Sequence, residues 1–141
     1  MDLTLAIIKP DAVGRALSGN IIALLEANGF RVRAVRMLQL TEKQAQEFYA
    51  VHRERPFYAS LVRFMTSGPC LPMVLQRDRA VAALREAIGA TDPAEAAAGT
   101  VRASYAESKE RNAIHASDSD QNATREIAFF FAQAELLAAS S

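Results

Sequence analysis

Apolar and polar positions alternate with two different periods along this chain, and each change of period marks a new element. Residues 3–8, Leu-Thr-Leu-Ala-Ile-Ile, form a short apolar run with β-branched Thr4, Ile7 and Ile8. That pattern suits a central strand buried on both faces. Lys9-Pro10 ends it. Ile21, Ile22, Leu24 and Leu25 then recur at helical spacing between Ser18 and Gly29, which predicts a helix over residues 18–28 with its stop glycine just beyond. Residues 30–38 alternate polar with apolar, the mark of a half-exposed strand. Thr41 and Gln44 make a capping box for a helix carrying Ala45, Phe48 and Tyr49 to about His52. Pro56 interrupts it, and Phe57, Leu61, Phe64 and Met65 predict a second helix ending near Gly68, the pair forming a helical hairpin.

Residues 73–75 read as a third strand, and the nearby Pro69 and Pro72 argue for an edge position or a late start. Asp78 is the expected cap of a helix that carries Val81, Leu84 and Ile88 and stops at Gly89. From Asp92 to Arg111 the periodicity fails except at Thr100-Val101-Arg102. A compact domain seldom carries a loop of about twenty residues unless it has a task or hides a short element, so function is sought there. Residues 122–137 are helical by the spacing of Ile127, Phe130 and Phe131, and Ser140-Ser141 is a tail. A fourth strand is expected near residues 127–131 or earlier. The order predicts an α+β, ferredoxin-like (βαββαβ) fold: a four-stranded antiparallel sheet with helices on one face and extra helices inserted.

Composition narrows the partners. The 141 residues suit a single domain over 1–141, half of them hydrophobic and 23% charged, which is enough to bury a core. Sixteen basic side chains balance sixteen acidic ones. No global field therefore exists to hold a nucleic-acid backbone or an acidic membrane, and any anion site must be local. The lone Cys70 cannot close an intrachain disulfide, and no basic leader or membrane-length apolar run is present, so a cytoplasmic protein is expected.

The chain lacks the Gly-x-x-x-x-Gly-Lys-Ser/Thr phosphate loop, the dinucleotide glycine fingerprint and any His or Cys cluster at metal-ligand spacing. What stands out is Asn112-Ala113-Ile114-His115-Ala116-Ser117-Asp118-Ser119, a tight polar segment around one histidine. In this segment the chain resembles the nucleoside diphosphate kinases, whose signature is Asn-x-x-His-Gly/Ala-Ser-Asp. The resemblance runs through Ile8-Lys9-Pro10-Asp11, Phe48-Tyr49, Arg55-Pro56-Phe57, Ser67-Gly68-Pro69, Gly89-Ala90-Thr91-Asp92-Pro93 and Gly99-Thr100-Val101-Arg102. It implies an enzyme that moves the γ-phosphate of a nucleoside triphosphate such as ATP to a nucleoside diphosphate, by a ping-pong mechanism through a phosphohistidine, and so maintains NTP and dNTP pools.

Histidine suits that task, because a side chain with a reference pKa of about 6.5 is largely neutral and nucleophilic near pH 7. The resemblance implies His115 as nucleophile, Glu126 as the carboxylate that orients it and Ser117 as a helper. It further implies Lys9, Arg85 and Arg102 as phosphate ligands, Thr91 as a hydroxyl donor and Asn112 as a sugar and phosphate contact. Tyr49 would lie beside the nucleophile and Phe57 would offer its face to the base, a contact that tolerates any base. Mg²⁺ would arrive on the nucleotide phosphates with no direct protein ligand, and residues 92–111 would form a long nucleotide-site loop. A homo-oligomer is implied; the short C-terminus makes a tetramer the expectation, ahead of a hexamer. Three positions depart from the family pattern: Ala116 where glycine is usual, Lys109 at the wall of the base slot, and Ala16 in place of a loop glycine. Lys109 and Ala116 are the only support for the alternative, a nucleotide-binding module without catalysis.

Overall fold

The computed structural model describes residues 2–137, so the expected tail at Ser140-Ser141 lies outside the described residues. Its centre is an antiparallel sheet built from β1 (Asp2–Ile8), β2 (Arg31–Val35), β3 (Leu71–Arg77) and β4 (Ile114–Ala116), in the order β2-β3-β1-β4. Between β1 and β2 lie α1 (Pro10–Gly14) and α2 (Ser18–Ala27). Between β2 and β3 lie α3 (Glu42–Phe48) and α4 (Tyr58–Met65), and between β3 and β4 lie α5 (Ala80–Ile88) and α6 (Val101–Tyr105). Two further helices, α7 (Asp120–Phe130) and α8 (Gln133–Leu137), follow β4. The ferredoxin-like α+β expectation holds.

The helices cover both faces of the sheet, not one. The reason is in β1, where alternate residues point to opposite sides. Ala6 and Ile8 join a core with Ile21 and Leu25 of α2 and Leu84 and Ile88 of α5, whereas Leu5 and Ile7 join another with Phe48, Met65 of α4 and Ile127 of α7. A strand apolar on both sides cannot leave one face wet. Each fully buried Leu, Ile or Phe contributes roughly 1.5–3 kcal/mol, so both layers hold the sheet.

Several local details refine or correct the expectations. β3 is an interior strand that contains Pro72, paired with Ile7 on one side. The Pro72 carbonyl accepts from the Arg36 amide at 3.2 Å, one residue past the end of β2. A strand residue turns its N–H and C=O toward the same neighbour, so the donor that proline lacks faces Arg36, in the short gap between the end of β2 and the antiparallel Leu38–Cys70 bridge, where the Pro72 carbonyl alone carries the pairing. The fourth strand is β4, the histidine segment itself, and the stretch around Ile127 is helical. Asp78 is not a cap: Arg79 holds that place with φ +54°, its amide donating to Asp2 Oδ2 at 3.1 Å. The long loop hides a single-turn helix at Pro93–Glu95 as well as α6, and the C-terminal helix breaks at Phe131.

Elsewhere local chemistry acts as expected. The Gln44 amide donates to Thr41 Oγ1 at 3.1 Å while Gln44 Oε1 accepts from the Thr41 amide at 2.9 Å, completing the capping box of α3. Gly89 ends α5 with φ +89°, and a methyl group there would stand 2.5 Å from Thr100 Oγ1. Thr100 in turn caps α6, accepting from the Ala103 amide at 3.2 Å. Helix α5 and helix α6 therefore meet at a glycine. Cys70 is buried, and burial pushes its thiol up to about 11, so it stays protonated.

Candidate functional site

β4 is only three residues long, yet its pleat decides the site. Ile114 and Ala116 turn into the core beneath α2 and α5, so His115 turns the other way, toward the layer of α3 and α7. There the Phe48 and Tyr49 rings meet its imidazole edge-on, at centroid distances of 5.4 and 6.1 Å. Across β1 it pairs with Ile7.

Helix α7 starts at Ser119, whose hydroxyl accepts from the Asn122 amide at 3.1 Å. Its buried positions Ala123, Glu126, Ile127 and Phe130 recur at helical spacing, so Glu126 occupies a core-facing place. A buried carboxylate needs partners, and two are present: His115 Nε2 lies 2.7 Å from Oε1, and Ser117 Oγ donates to the same oxygen at 2.8 Å. Arg125 approaches Oε2 at 3.6 Å. Burial works to raise the Glu126 pKa, but the hydrogen bond and charge of His115, with Ser117 and Arg125, outweigh it and hold the carboxyl below the usual range. Glu126 is therefore an anion, which places a proton on Nε2 and leaves Nδ1 uncommitted by this contact.

Cations gather on strands and helices next to this nitrogen's strand. Lys9 directly follows β1 and its ammonium donates to Asn112 Oδ1 at 2.8 Å. Burial first, and then the nearby Arg102 charge, bring its pKa down to about 8 against the opposing pull of Asp11 and Glu110. Arg102 of α6 donates to the carbonyls of Ile114, Gly89 and Asn112 at 2.8, 3.1 and 3.4 Å. Burial and the Arg85 charge bring it down to about 10. Arg85 of α5 is exposed and reaches the Ala116 carbonyl at 3.4 Å. Asn112 also donates through Nδ2 to the carbonyls of Lys109 and Thr91, at 2.9 and 3.4 Å.

The structure thus brings together His115, Glu126, Ser117 and Tyr49 in one cluster, and Lys9, Asn112, Arg102 and Arg85 in an adjoining one. Thr91 touches the second cluster through its carbonyl and leaves its side chain exposed. Phe57 stands apart from both, 45% exposed at the head of α4 with its ring 5.4 Å from that of His52. The buried Tyr49 hydroxyl has no hydrogen-bond partner among the described residues, and burial, then Cys70 and Glu126, drive its pKa far up. It is held neutral. Lys109 is exposed and lies 4.0 Å from Asp92.

Of the departures, Ala116 needs no left-handed backbone, whereas Ala16 adopts φ +59°. Ala113 adopts φ +74°, and the Ile114 amide donates back across it to the Asn112 carbonyl at 2.9 Å. That is the strained three-residue γ-turn. Nothing in the residue types of Asn-Ala-Ile announces it. The supporting Asp11 and Arg125 are likewise outside the sequence-derived site, although Asp11 follows Lys9-Pro10 directly.

The nucleoside diphosphate kinase family model matches residues 2–136. The chain belongs to this family. A protein named nucleoside diphosphate kinase from Chlorobium luteolum is 57% identical over 137 residues, covering 97% of this chain and 98% of the relative. One of that name from Campylobacter fetus is also 57% identical, over 96% of this chain and 99% of its own. Among solved structures, the Aquifex aeolicus nucleoside diphosphate kinase superposes with a TM-score of 0.93 at 44% identity, over 95% of this chain and 97% of that one. A halophilic family member from Halobacterium salinarum, determined in complex with CDP, gives 0.90 at 39% identity over 95% and 90%. No described helix is long and apolar enough to cross a membrane.

Proposed function

We propose that this phosphotransferase moves the γ-phosphate of a nucleoside triphosphate, ATP as donor, to a nucleoside diphosphate in two half-reactions through His115. The observation that carries the reading is the 2.7 Å contact between Nε2 and Glu126, which commits one ring nitrogen and frees the other. In the first half the Nδ1 lone pair attacks the γ-phosphorus, the bond from that phosphorus to the β,γ-bridging oxygen breaks, and the diphosphate leaves with the electron pair. In the second half a terminal phosphate oxygen of another diphosphate attacks the same phosphorus and the P–N bond breaks. No net proton moves in either half. The ring becomes cationic while phosphorylated, and the Glu126 carboxylate, fixed by Ser117, stabilises it.

The loose phosphoryl transition state spreads negative charge over three oxygens, so fixed cations supply much of the catalysis. Lys9, Arg85 and Arg102 serve here, with Tyr49 donating its neutral hydroxyl beside the ring. Asn112 binds the sugar and a phosphate-side oxygen, and the Thr91 hydroxyl adds a phosphate contact. Phe57 stacks on the base. Among the described residues no group of three or more His, Cys, Asp or Glu side chains is placed to hold a metal, and the donors that converge on the site are cations and amides. That donor set fits Mg²⁺ carried by the nucleotide, where the ion supplies neutralisation of phosphate charge. The enzyme acts as one domain over 1–141, in the cytoplasm, as a homo-oligomer with a tetramer ahead of a hexamer.

Incubation with ATP and Mg²⁺, followed by removal of nucleotide, leaves an acid-labile phosphate that a diphosphate acceptor discharges; a protein that exchanges phosphate without ever holding it would refute the scheme. The rate of this labelling at low nucleotide reports the free enzyme. Lys9 binds phosphate only when protonated, and its pKa is depressed to about 8. Below that pH the charge is present, and above it the rate falls, approaching about tenfold per pH unit. Rapid-quench measurements from pH 7 to 10 check the limb, and a flat profile would remove Lys9 from the phosphate site.

A further inference from the structure

Asp11 follows the last residue of the first strand by only three positions and is 3% exposed in the first turn of α1. Its Oδ2 accepts from the Ala113 amide at 3.1 Å, while Oδ1 is buried with no hydrogen-bond partner among the described residues. A buried carboxylate with an unsatisfied oxygen is costly, and a chain that retains one spends stability at that place. The other end of the same peptide unit is held too, because the Ala113 carbonyl accepts from the Lys9 amide at 2.9 Å.

Ala113 is the centre of the γ-turn, with φ +74°. A non-glycine residue leaves this conformation unless its surroundings over-determine it. Immediately before the turn stands Asn112, whose Oδ1 meets the Lys9 ammonium at 2.8 Å; immediately after it β4 begins, two residues before the end of which sits Ile114 and then His115. The turn therefore sets the spacing between the cation cluster and the imidazole.

We propose that Asp11 is a positioning residue for phosphoryl transfer: its carboxylate pins the Ala113 amide, so that the strained turn keeps Asn112 on Lys9 and His115 on its register with Ile7. This rests on His115 being the phosphoryl carrier. Asp11 touches neither nucleotide nor the reacting atoms, and it acts through the backbone. A substitution that releases the pin lets Ala113 relax to a negative φ and shifts His115 relative to Lys9, and misplacement on the order of 1 Å costs about 100-fold. Glycine at position 113 would tolerate the positive φ without a pin.

The test measures the rate of the first half-reaction per folded protein, with ATP and Mg²⁺, in the full chain. Asp11→Ala is expected to slow labelling of His115 about 10- to 100-fold, Asp11→Asn to lose much less because its amide oxygen still accepts from Ala113, and the double variant with Ala113→Gly to recover most of the loss. Thermal melting of each variant separates folding from rate. A wild-type rate in Asp11→Ala with only a lowered melting temperature overturns the proposal, as does an Asp11→Asn as slow as Asp11→Ala, which would make the charge and not the pin the active feature. Should Asp11→Ala alone fail to fold, the double variant decides: folded and fast supports the pin, folded and slow overturns it. Wild-type protein that is never labelled at His115 would overturn the underlying reading instead.

Discussion

Replacing His115 by alanine removes phosphoryl exchange between nucleotides, with a fall of at least about four orders of magnitude in turnover. Loss of a nucleophile leaves only binding and electrostatic stabilisation behind, and here those terms have no attacking atom in the first half-reaction. The fold survives. His115 packs edge-on against Phe48 and Tyr49, and its removal leaves Glu126 buried with Ser117 still donating at 2.8 Å. The carboxylate, left with Ser117 and Arg125, costs about 1–3 kcal/mol, which for a domain of this size lowers the melting temperature by about 3–10 °C. Spectrophotometric exchange assays together with calorimetry check both halves of this expectation. Turnover within tenfold of wild type in a folded variant would exclude His115 as the carrier.

The second large effect is at Glu126. Alanine there frees Nε2, so that the ring samples both tautomers and both rotations, and the cationic phosphorylated ring loses its counter-charge. A comparable orienting carboxylate in hydrolytic triads contributes about four orders of magnitude, and a loss of about 10²- to 10⁴-fold in the labelling rate is expected here. Glu126→Gln keeps an acceptor oxygen at the same place and is expected to recover part of that loss. A purely structural role predicts otherwise: both variants would melt earlier and label at the wild-type rate per folded molecule. Ser117→Ala, which removes one of two donors to Oε1, should fall between.

These expectations depend on features of unequal visibility in the sequence. The capping box at Thr41 and Gln44, the stop at Gly29 and the two-sided apolar run of β1 each follow from one local rule, and each is present. The sandwich of helices about the sheet was implicit in the same β1 run, since both of its faces are apolar. Pro72 misleads because a proline normally marks an edge; its missing donor falls in the gap between β2 and the Leu38–Cys70 bridge, a tertiary fact. β4 was hidden by its length, because Ile-His-Ala carries too few residues to display alternation. The histidine motif itself was plain, whereas the γ-turn that aims it is stored in an ordinary alanine and held by Asp11 from across the fold. Residue type reports chemistry well and backbone strain hardly at all.

In the proposed reaction Glu126 occupies Nε2 and leaves Nδ1 to attack. Phosphorus and nitrogen NMR of the protein isolated after reaction with ATP and Mg²⁺ assigns the nitrogen that carries the phosphate. A single phosphoramidate on Nδ1 of His115 is expected. Phosphate on Nε2 of that ring, or on any other side chain, would contradict it.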